Sequence, residues 1–467
     1  MMSGTFICRT CLVFANTFTL VLVSGLVLYI LSQFFAAVLP KREQQTGCAP
    51  AAAIATRLGR EKDKYRENCR KISKKKELYL EIMSQWGELK RRLQTPPEIR
   101  VVDNRKERKC FVELPWKLYR DDPNWVPPLL LDMYNTLNPK KNALLRLGPN
   151  RFFIAYQDGE PVGRLGVGMD LRLNAAKQEA LSYLTLFESI NDYKVAQALF
   201  DAGMAFLREQ GAAVVTGPQS PSNGDDYRGL LLAGYDSPPS LLNSYNPPYY
   251  HTFFQQYGFR KDFDRYAYFY DFRDGPPKRL ARGVELIQKR YGYRIRPIDM
   301  KNLDKEIHVL KYVTDQAMPD WPDMIPPGID ELEAEAEKLK LLAIPDLVLI
   351  AETSAGEPVG FAVTFPDYNE VLPKLNGRLF PTGFLKFLWY RRKIKGARLF
   401  ALMVTPARQK KGVAACLYYY SMINALRLGF THGEGSTIHE FNTRMNLDAY
   451  KAGGKLYKIY RVYRKEL

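Results

Sequence analysis

Between residues 98 and 272 apolar and polar positions change period several times, and each change marks an element. Residues 151–170, RFFIAYQDGEPVGRLGVGMD, hold two mostly apolar runs split by Asp158-Gly159, the pair that favours a tight hairpin turn. Residues 184–187 read as a further strand. Residues 193–210 place apolar side chains at helical spacing. Residues 212–216 read as a strand, and a Pro/Gly/Asn-rich loop follows through residue 248. Phe254-Gln255-Gln256-Tyr257-Gly258-Phe259 then leads to an aromatic strand, 266–272, and Asp274-Gly275-Pro276-Pro277 is a linker. Further on, the apolar run 399–404 predicts a buried strand that Thr405-Pro406 breaks. Arg408-Gln409-Lys410-Lys411 forms a basic loop, and Gly412-Val413-Ala414 opens an apolar helix over 415–426.

The second half repeats the first. Gly159-Glu160-Pro161-Val162-Gly163 recurs as Gly356-Glu357-Pro358-Val359-Gly360, and Gly258 has a counterpart at Gly454. The offsets, 197 and 196, nearly agree, so the pattern predicts duplicated α/β domains over 96–275 and 276–467.

The N-terminal residues follow a different pattern. Residues 10–40 carry no charged side chain, and a membrane span needs about 20 apolar residues. The leader holds only Arg9, so 1–40 reads as a retained anchor rather than a cleaved signal. Residues 41–95 read as a basic helical stalk. Leu58, Tyr65, Ile72, Tyr79, Trp86 and Leu93 recur every seven residues, but the second seam position is polar (Glu61, Asn68, Lys75), which argues for weak self-pairing. Thr95-Pro96-Pro97 ends the stalk.

Charge sharpens this picture. The chain carries +18, and residues 41–120, with 22 Lys+Arg against 11 Asp+Glu, contribute +11 of it. Positive charge beside the anchor predicts that the remainder faces the cytoplasm at the inner membrane, and it attracts anionic headgroups. Six scattered cysteines form no disulfide framework, and the isolated Cys8/Cys11 pair reads as incidental. Four histidines without ligand spacing predict no metal site. A hydrophobic fraction of 46% is enough for large cores.

A strand, a basic Gly-bearing loop and a helix start together can hold a phosphate. First-turn N–H groups lack intrahelical partners, the helix dipole favours an anion there, and a glycine admits close approach. Gln409-Lys410-Lys411-Gly412-Val413-Ala414 resembles the acyl-CoA pyrophosphate loop of the GNAT acyltransferase superfamily. A second motif agrees: Tyr450 lies four residues before Gly454, the register of the superfamily's phenol that protonates the departing CoA thiolate. The first half has Glu188-Ser189-Ile190-Asn191-Asp192 in place of the loop and Phe254 in place of the tyrosine, so it is expected to be structural or to shape the acceptor pocket, with Asn246-Pro247-Pro248-Tyr249-Tyr250 as one wall.

As a whole the chain resembles a tandem-GNAT bacterial acyltransferase. Leu114-Pro115-Trp116-Lys117-Leu118-Tyr119, Asp122-Pro123-Asn124-Trp125-Val126-Pro127-Pro128 and Gly377-Arg378-Leu379-Phe380-Pro381 are similar to the group that contains the bacterial ceramide synthase. The resemblance implies an α/β fold of two GNAT-like domains with mixed central sheets. It implies acyl-CoA or acetyl-CoA as co-substrate, and an amine acceptor such as the lipid amine of a sphingoid base. Strand 399–404 is expected to splay from its neighbour. The backbone at Met403 and Val404 then pairs with pantetheine, residues 409–414 hold the pyrophosphate, and Asn442 hydrogen-bonds pantetheine or acceptor. Glu434 and Glu440 are candidate bases, since their even spacing puts both on one face of a regular strand, with His439 behind them. Tyr450 is the candidate acid. Two alternatives stay open: an aminoacyl-tRNA-dependent transferase, against which the CoA-type loop argues, and a non-catalytic membrane-anchored adaptor. No nucleic acid is expected as a partner.

Overall fold

The computed structural model describes residues 96–467, with gaps at 223–225, 319–323, 330, 334–335, 337–339 and 341–342, and before residue 96 only Met83. The expected anchor and stalk lie outside the described residues. No described helix is long and apolar enough to cross a membrane. The described residues from 96 on belong to one compact unit.

The thirteen described strands are β1 (Glu98–Val101), β2 (Asn150–Gln157), β3 (Glu160–Gly168), β4 (Leu181–Ser189), β5 (Val214–Gly217), β6 (Leu230–Ala233), β7 (Arg260–Asp271), β8 (Arg294–Pro297), β9 (Val348–Glu352), β10 (Pro358–Pro366), β11 (Gly396–Val404), β12 (His432–His439) and β13 (Lys455–Glu466). The helices that position the site are α1 (Arg105–Leu118), α2 (Tyr193–Glu209), α3 (Tyr249–Gln256), α4 (Lys278–Tyr291), α5 (Leu303–Ala317), α6 (Gly383–Tyr390), α7 (Val413–Arg427) and α8 (Thr443–Lys451).

The strands form one mixed sheet in the order β1-β2-β3-β4-β5-β13-β7-β12-β11-β10-β9-β8, with β6 also on β13. The β4–β5 and β11–β12 pairs are parallel, each bridged by a helix, α2 or α7. The other pairs are antiparallel. The two halves exchange their last strands: β13 lies between β5 and β7, and β7 lies between β13 and β12. A long antiparallel ladder from Lys455↔Phe269 to Arg464↔Arg260, with two register shifts, therefore joins them. This explains why β7 starts earlier than its aromatic run. Arg260 to Asp264 are drawn into the strand because a partner backbone waits on that side.

Local chemistry accounts for the elements that periodicity anticipated. Asp158 and Gly159 both have positive φ (52° and 80°), the geometry of a hairpin turn that fits strand twist. The long loop after β5 contains one short strand, β6, not read from the sequence. Helix α2 buries Val195, Ala196, Leu199, Phe200, Gly203, Met204 and Leu207 at i, i+3, i+4 spacing. Its Phe200 stacks on Phe187 of β4 at 4.9 Å between centroids. A fully buried side chain of this kind contributes about 1.5–3 kcal/mol. Helix α7 presents Val413, Leu417 and their neighbours to Val404, Val359 and Leu349 in an equivalent core of the second half.

Candidate active site

The parallel ladder between β11 and β12 covers only Gly396–Leu399 and His432–Gly435. Beyond Leu399 the two strands part, and β12 continues against β7. The expected splay is present. On the other side of β11 Val363 faces Ala401 and Thr364 faces Leu399, so Phe400 is an extra residue, a β-bulge against β10. Phe400 lines the cavity.

At the end of β11 the basic loop turns into α7. Gly412 is the N-cap residue, with φ 88°, and no side chain caps the helix. The first intrahelical bond runs from the Cys416 N–H to the Gly412 carbonyl at 3.1 Å. The N–H groups before Cys416 therefore point out of the helix start, where the dipole is positive. Gln409 folds back, its Nε2 donating to the Val404 carbonyl at 3.2 Å. Lys410 and Lys411 are exposed, and Lys410 itself has φ 63°. One expectation changes here. The direction in which Gly412 would carry a Cβ is filled by Ile287 of α4, not open to a ligand.

A cavity of about 1630 Å³ connects these parts. Met403, Val404, Gln409, Lys410, Gly412, Val413, Ala414 and Asn442 line it, as the sequence led us to expect; Lys411 is not among the lining residues. From the wedge the cavity continues into an apolar chamber beneath α5, walled by Leu303, Ile307 and Leu310 on the helix and by Phe361, Val363 and Phe365 on β10.

The three expected catalytic side chains do not converge there. Tyr450 is 71% exposed and lies outside the cavity wall. Helix α8 turns Met445 and Asp448 to the cavity, and at about 100° per residue Tyr450 points roughly 200° away from Asp448. Strand β12 ends at His439, so Glu440 sits past it in a turn. Its carboxylate accepts from the Asp264 N–H at 2.8 Å and from Lys261 Nζ at 2.7 Å. The register of β12 also slips between Gly435 and Ile438, which breaks the even-spacing argument for one face. Asn442 lines the cavity, but its side chain caps α8 by accepting from the Met445 N–H at 3.1 Å.

Glu434 is buried one layer behind the wall. It accepts from Asn243 Nδ2, from the Ser436 hydroxyl and from the Tyr457 hydroxyl. Arg398 of β11 donates through Nε to Ser436 Oγ at 3.0 Å and through a second nitrogen to the Leu241 carbonyl. Asp367 accepts from the Leu241 N–H at 2.9 Å; burial, and next the charge of Glu434, push its carboxyl up to about 7. Sequence reasoning missed this network. Its one legible signal was Arg398, a lone charge within an apolar strand. The network ties the loop at 241–243 from the first half to β11 and β12 of the second. His439 does line the cavity. It stacks on Phe263 at 4.1 Å, and its Nδ1 accepts the Phe441 N–H at 3.2 Å.

The first half has the same splay without the cradle. Its β4–β5 ladder covers Leu181–Tyr183 only. Asp192 caps α2, accepting from the Lys194 N–H at 2.9 Å, so a carboxylate already sits at the helix start. Glu188 pairs with Arg164 as Met403 pairs with Phe361. It is buried and accepts from Tyr119 and Tyr250 at 2.6 and 2.9 Å, with Arg164 at 3.5 Å. Burial raises its pKa, which Arg164 opposes. Of the expected aromatic wall, Asn246 lines the cavity, while Tyr249 and Tyr250 bind Ser189 and Glu188. Among the described residues no cluster could hold a metal ion.

No protein-family model matches the chain. Protein YghO of Escherichia coli (strain K12) is 30% identical over 382 residues, 79% of this chain and 95% of that protein. The bacterial ceramide synthase of Caulobacter vibrioides (strain NA1000 / CB15N) is 31% identical over 373 residues, 77% of this chain and 95% of that protein. Among solved structures, a tandem GNAT protein from the clavulanic acid biosynthesis pathway is 12% identical, covers 79% of this chain and 98% of its own, and has a TM-score of 0.49. That likeness is too distant to carry weight beside the splayed parallel strands, the bulge and the uncapped helix start. With two relatives at 30% identity or more matched over nearly their whole length, the chain belongs to the family of the bacterial ceramide synthase and YghO.

Proposed function

We propose that the chain transfers an acyl group from acyl-CoA to the amine of a lipid acceptor, in the manner of a ceramide synthase. One observation carries this reading: a single cavity runs from a cationic, uncapped helix start, through the wedge at Phe400 to Val404, into an apolar chamber under α5. The first part suits a pyrophosphate, the second a pantetheine arm lying beside Met403 and Val404, and the third a long acyl or lipid chain. The name of the Caulobacter relative supports the lipid amine. The uncharged stretch 10–40 and the basic stretch 41–95 support a single-pass anchor with the acyltransferase on the cytoplasmic side. The second half, 276–467, is the catalytic one in this reading, and the first, 96–275, braces it.

The chemistry needs a base for the amine, a donor for the oxyanion and a proton for the thiolate. A backbone N–H of β11 in the wedge, where the strand has parted from β12, polarises the thioester carbonyl; one such donor is worth about 2.7–4 kcal/mol in a well-measured case. His439 and several carboxylates, among them Glu188 and Asp448, line the cavity. Of these we take His439, at the end of β12, as the base, because an imidazole both accepts and returns a proton near neutral pH. The ammonium sheds one proton to solvent and the free amine attacks the thioester carbon; His439 takes the second N–H proton, the C–S bond breaks as the tetrahedral intermediate collapses, and the imidazolium passes that proton to the thiolate.

The test is direct. Long-chain acyl-CoA should raise the unfolding temperature of the full chain, and a sphingoid base should then yield an amide by mass spectrometry. Absence of any shift with acyl-CoA of any length would end the reading. A shift with amide formed only on water-soluble amines would end its lipid part.

A further inference from the structure

Helix α6 is apolar or aromatic at every position except Lys386, yet it lies at the surface. Its inner face, Phe387 and Tyr390, packs on the second-half core, and Phe387 meets Tyr368 at 5.6 Å. Its outer face carries Phe384, Leu385, Leu388 and Trp389, all exposed, with Leu385 at 68% and Trp389 at 62%. Phe380, in the turn before it, stacks on Phe384 and extends the patch. A helix this rich in apolar side chains is normally covered, and a contiguous apolar patch of this kind marks a contact surface. The rim is cationic. Lys386 lies within the helix, and Arg391, Arg392 and Lys393 follow it, all exposed. Lys393 Nζ lies 5.4 Å from the Trp389 ring centroid.

We propose that α6 and the basic turn after it form a docking surface for an anionic lipid bilayer, with Phe384, Leu385, Leu388 and Trp389 in the acyl boundary and Arg391 to Lys393 among the headgroups. Aromatic and aliphatic side chains beside Lys/Arg are the composition of a helix that lies in the interface plane. Charge decides between a bilayer and a second copy of the chain. A two-fold contact through this patch would bring two sets of basic side chains together, whereas anionic headgroups neutralise them. Phe387 lines the cavity from the same helix, so docking would bring one cavity wall to the membrane surface.

Hydrogen–deuterium exchange on the full chain, reconstituted into vesicles, tests this. Peptides spanning 378–395 should exchange several-fold more slowly in phosphatidylcholine vesicles containing phosphatidylglycerol than in phosphatidylcholine alone. A Leu385→Glu/Trp389→Glu variant should lose that difference while keeping its unfolding temperature. Unchanged exchange in this segment, in chain that nonetheless stays with the anionic vesicles, would overturn the proposal. So would protection that grows with the protein-to-lipid ratio, which would assign the patch to a second copy, or protection that survives the double substitution. None of these outcomes bears on acyl transfer, which is read from product formation.

Discussion

A Cβ placed on Gly412 would lie 2.5 Å from Ile287 Cδ1, so the head of α7 is locked against α4 at the point where the basic loop ends. With φ at 88°, Gly412 is required both by its backbone and by its neighbour. Gly412→Ala should therefore cost stability, roughly 1–3 kcal/mol from strain and overlap. Adding Ile287→Ala should relieve the overlap and leave the strain. Urea unfolding of the single and double variants checks this; a Gly412→Ala chain as stable as the parent would contradict the packing described. Loss of CoA binding in a Gly412 variant is accordingly no measure of the phosphate site.

The exposed lysines measure it better. Lys410→Glu with Lys411→Glu should raise the KM for acyl-CoA by roughly tenfold to a hundredfold at low salt, since two attractions become repulsions. The difference should shrink as salt rises, and the unfolding temperature should hold. Equal KM values at low salt would remove the loop from the binding site.

Tyr450 and His439 make opposite predictions. Tyr450→Phe should leave kcat within about twofold, because the phenol faces solvent rather than the cavity. His439→Gln should lower kcat on the order of a hundredfold, the usual scale of acid–base assistance, and remove the acid limb of the pH–rate profile. A silent His439 variant would shift the base to one of the carboxylates on the cavity wall, such as Asp448 or Glu188.

Asp367 links the polar network to pH. Its folded pKa of about 7 lies above the ordinary aspartate value of about 3.9, so between them the folded chain holds a proton that the unfolded chain has released. Stability therefore falls as pH rises from about 4 to 7. Asp367→Asn keeps an acceptor for the Leu241 and Asn369 N–H groups and should flatten that fall. Denaturation midpoints across this range distinguish the two; parallel slopes would show that Asp367 is not the group responsible.

Much of the site was legible because it is local. The loop Gln409 to Ala414 lies in one turn of chain, and its strand-before, helix-after setting follows from one apolar run, one proline and one glycine. The hairpin at Asp158-Gly159 and helix α2 were readable for the same reason. Tyr450 was not, because its spacing from Gly454 sets a register and not the side of α8 that meets the cavity. Glu440 was misplaced because even spacing implies one face only in an unbroken strand, and β12 slips its register before it ends.

By itself, then, the amino-acid order determined the repeated α/β plan, the half that carries the basic glycine-bearing loop before a helix, and the lack of a second such loop at Glu188 to Asp192. These depend on neighbours within a few residues, where periodicity, turn residues and charge act directly. The exchange of β7 and β13, the burial of Glu434 with Asn243 and Arg398, and the exposure of α6 depend on contacts between residues far apart in the chain. Only the folded chain decides those, because backbone pairing and desolvation are settled by what each surface meets, not by what precedes it.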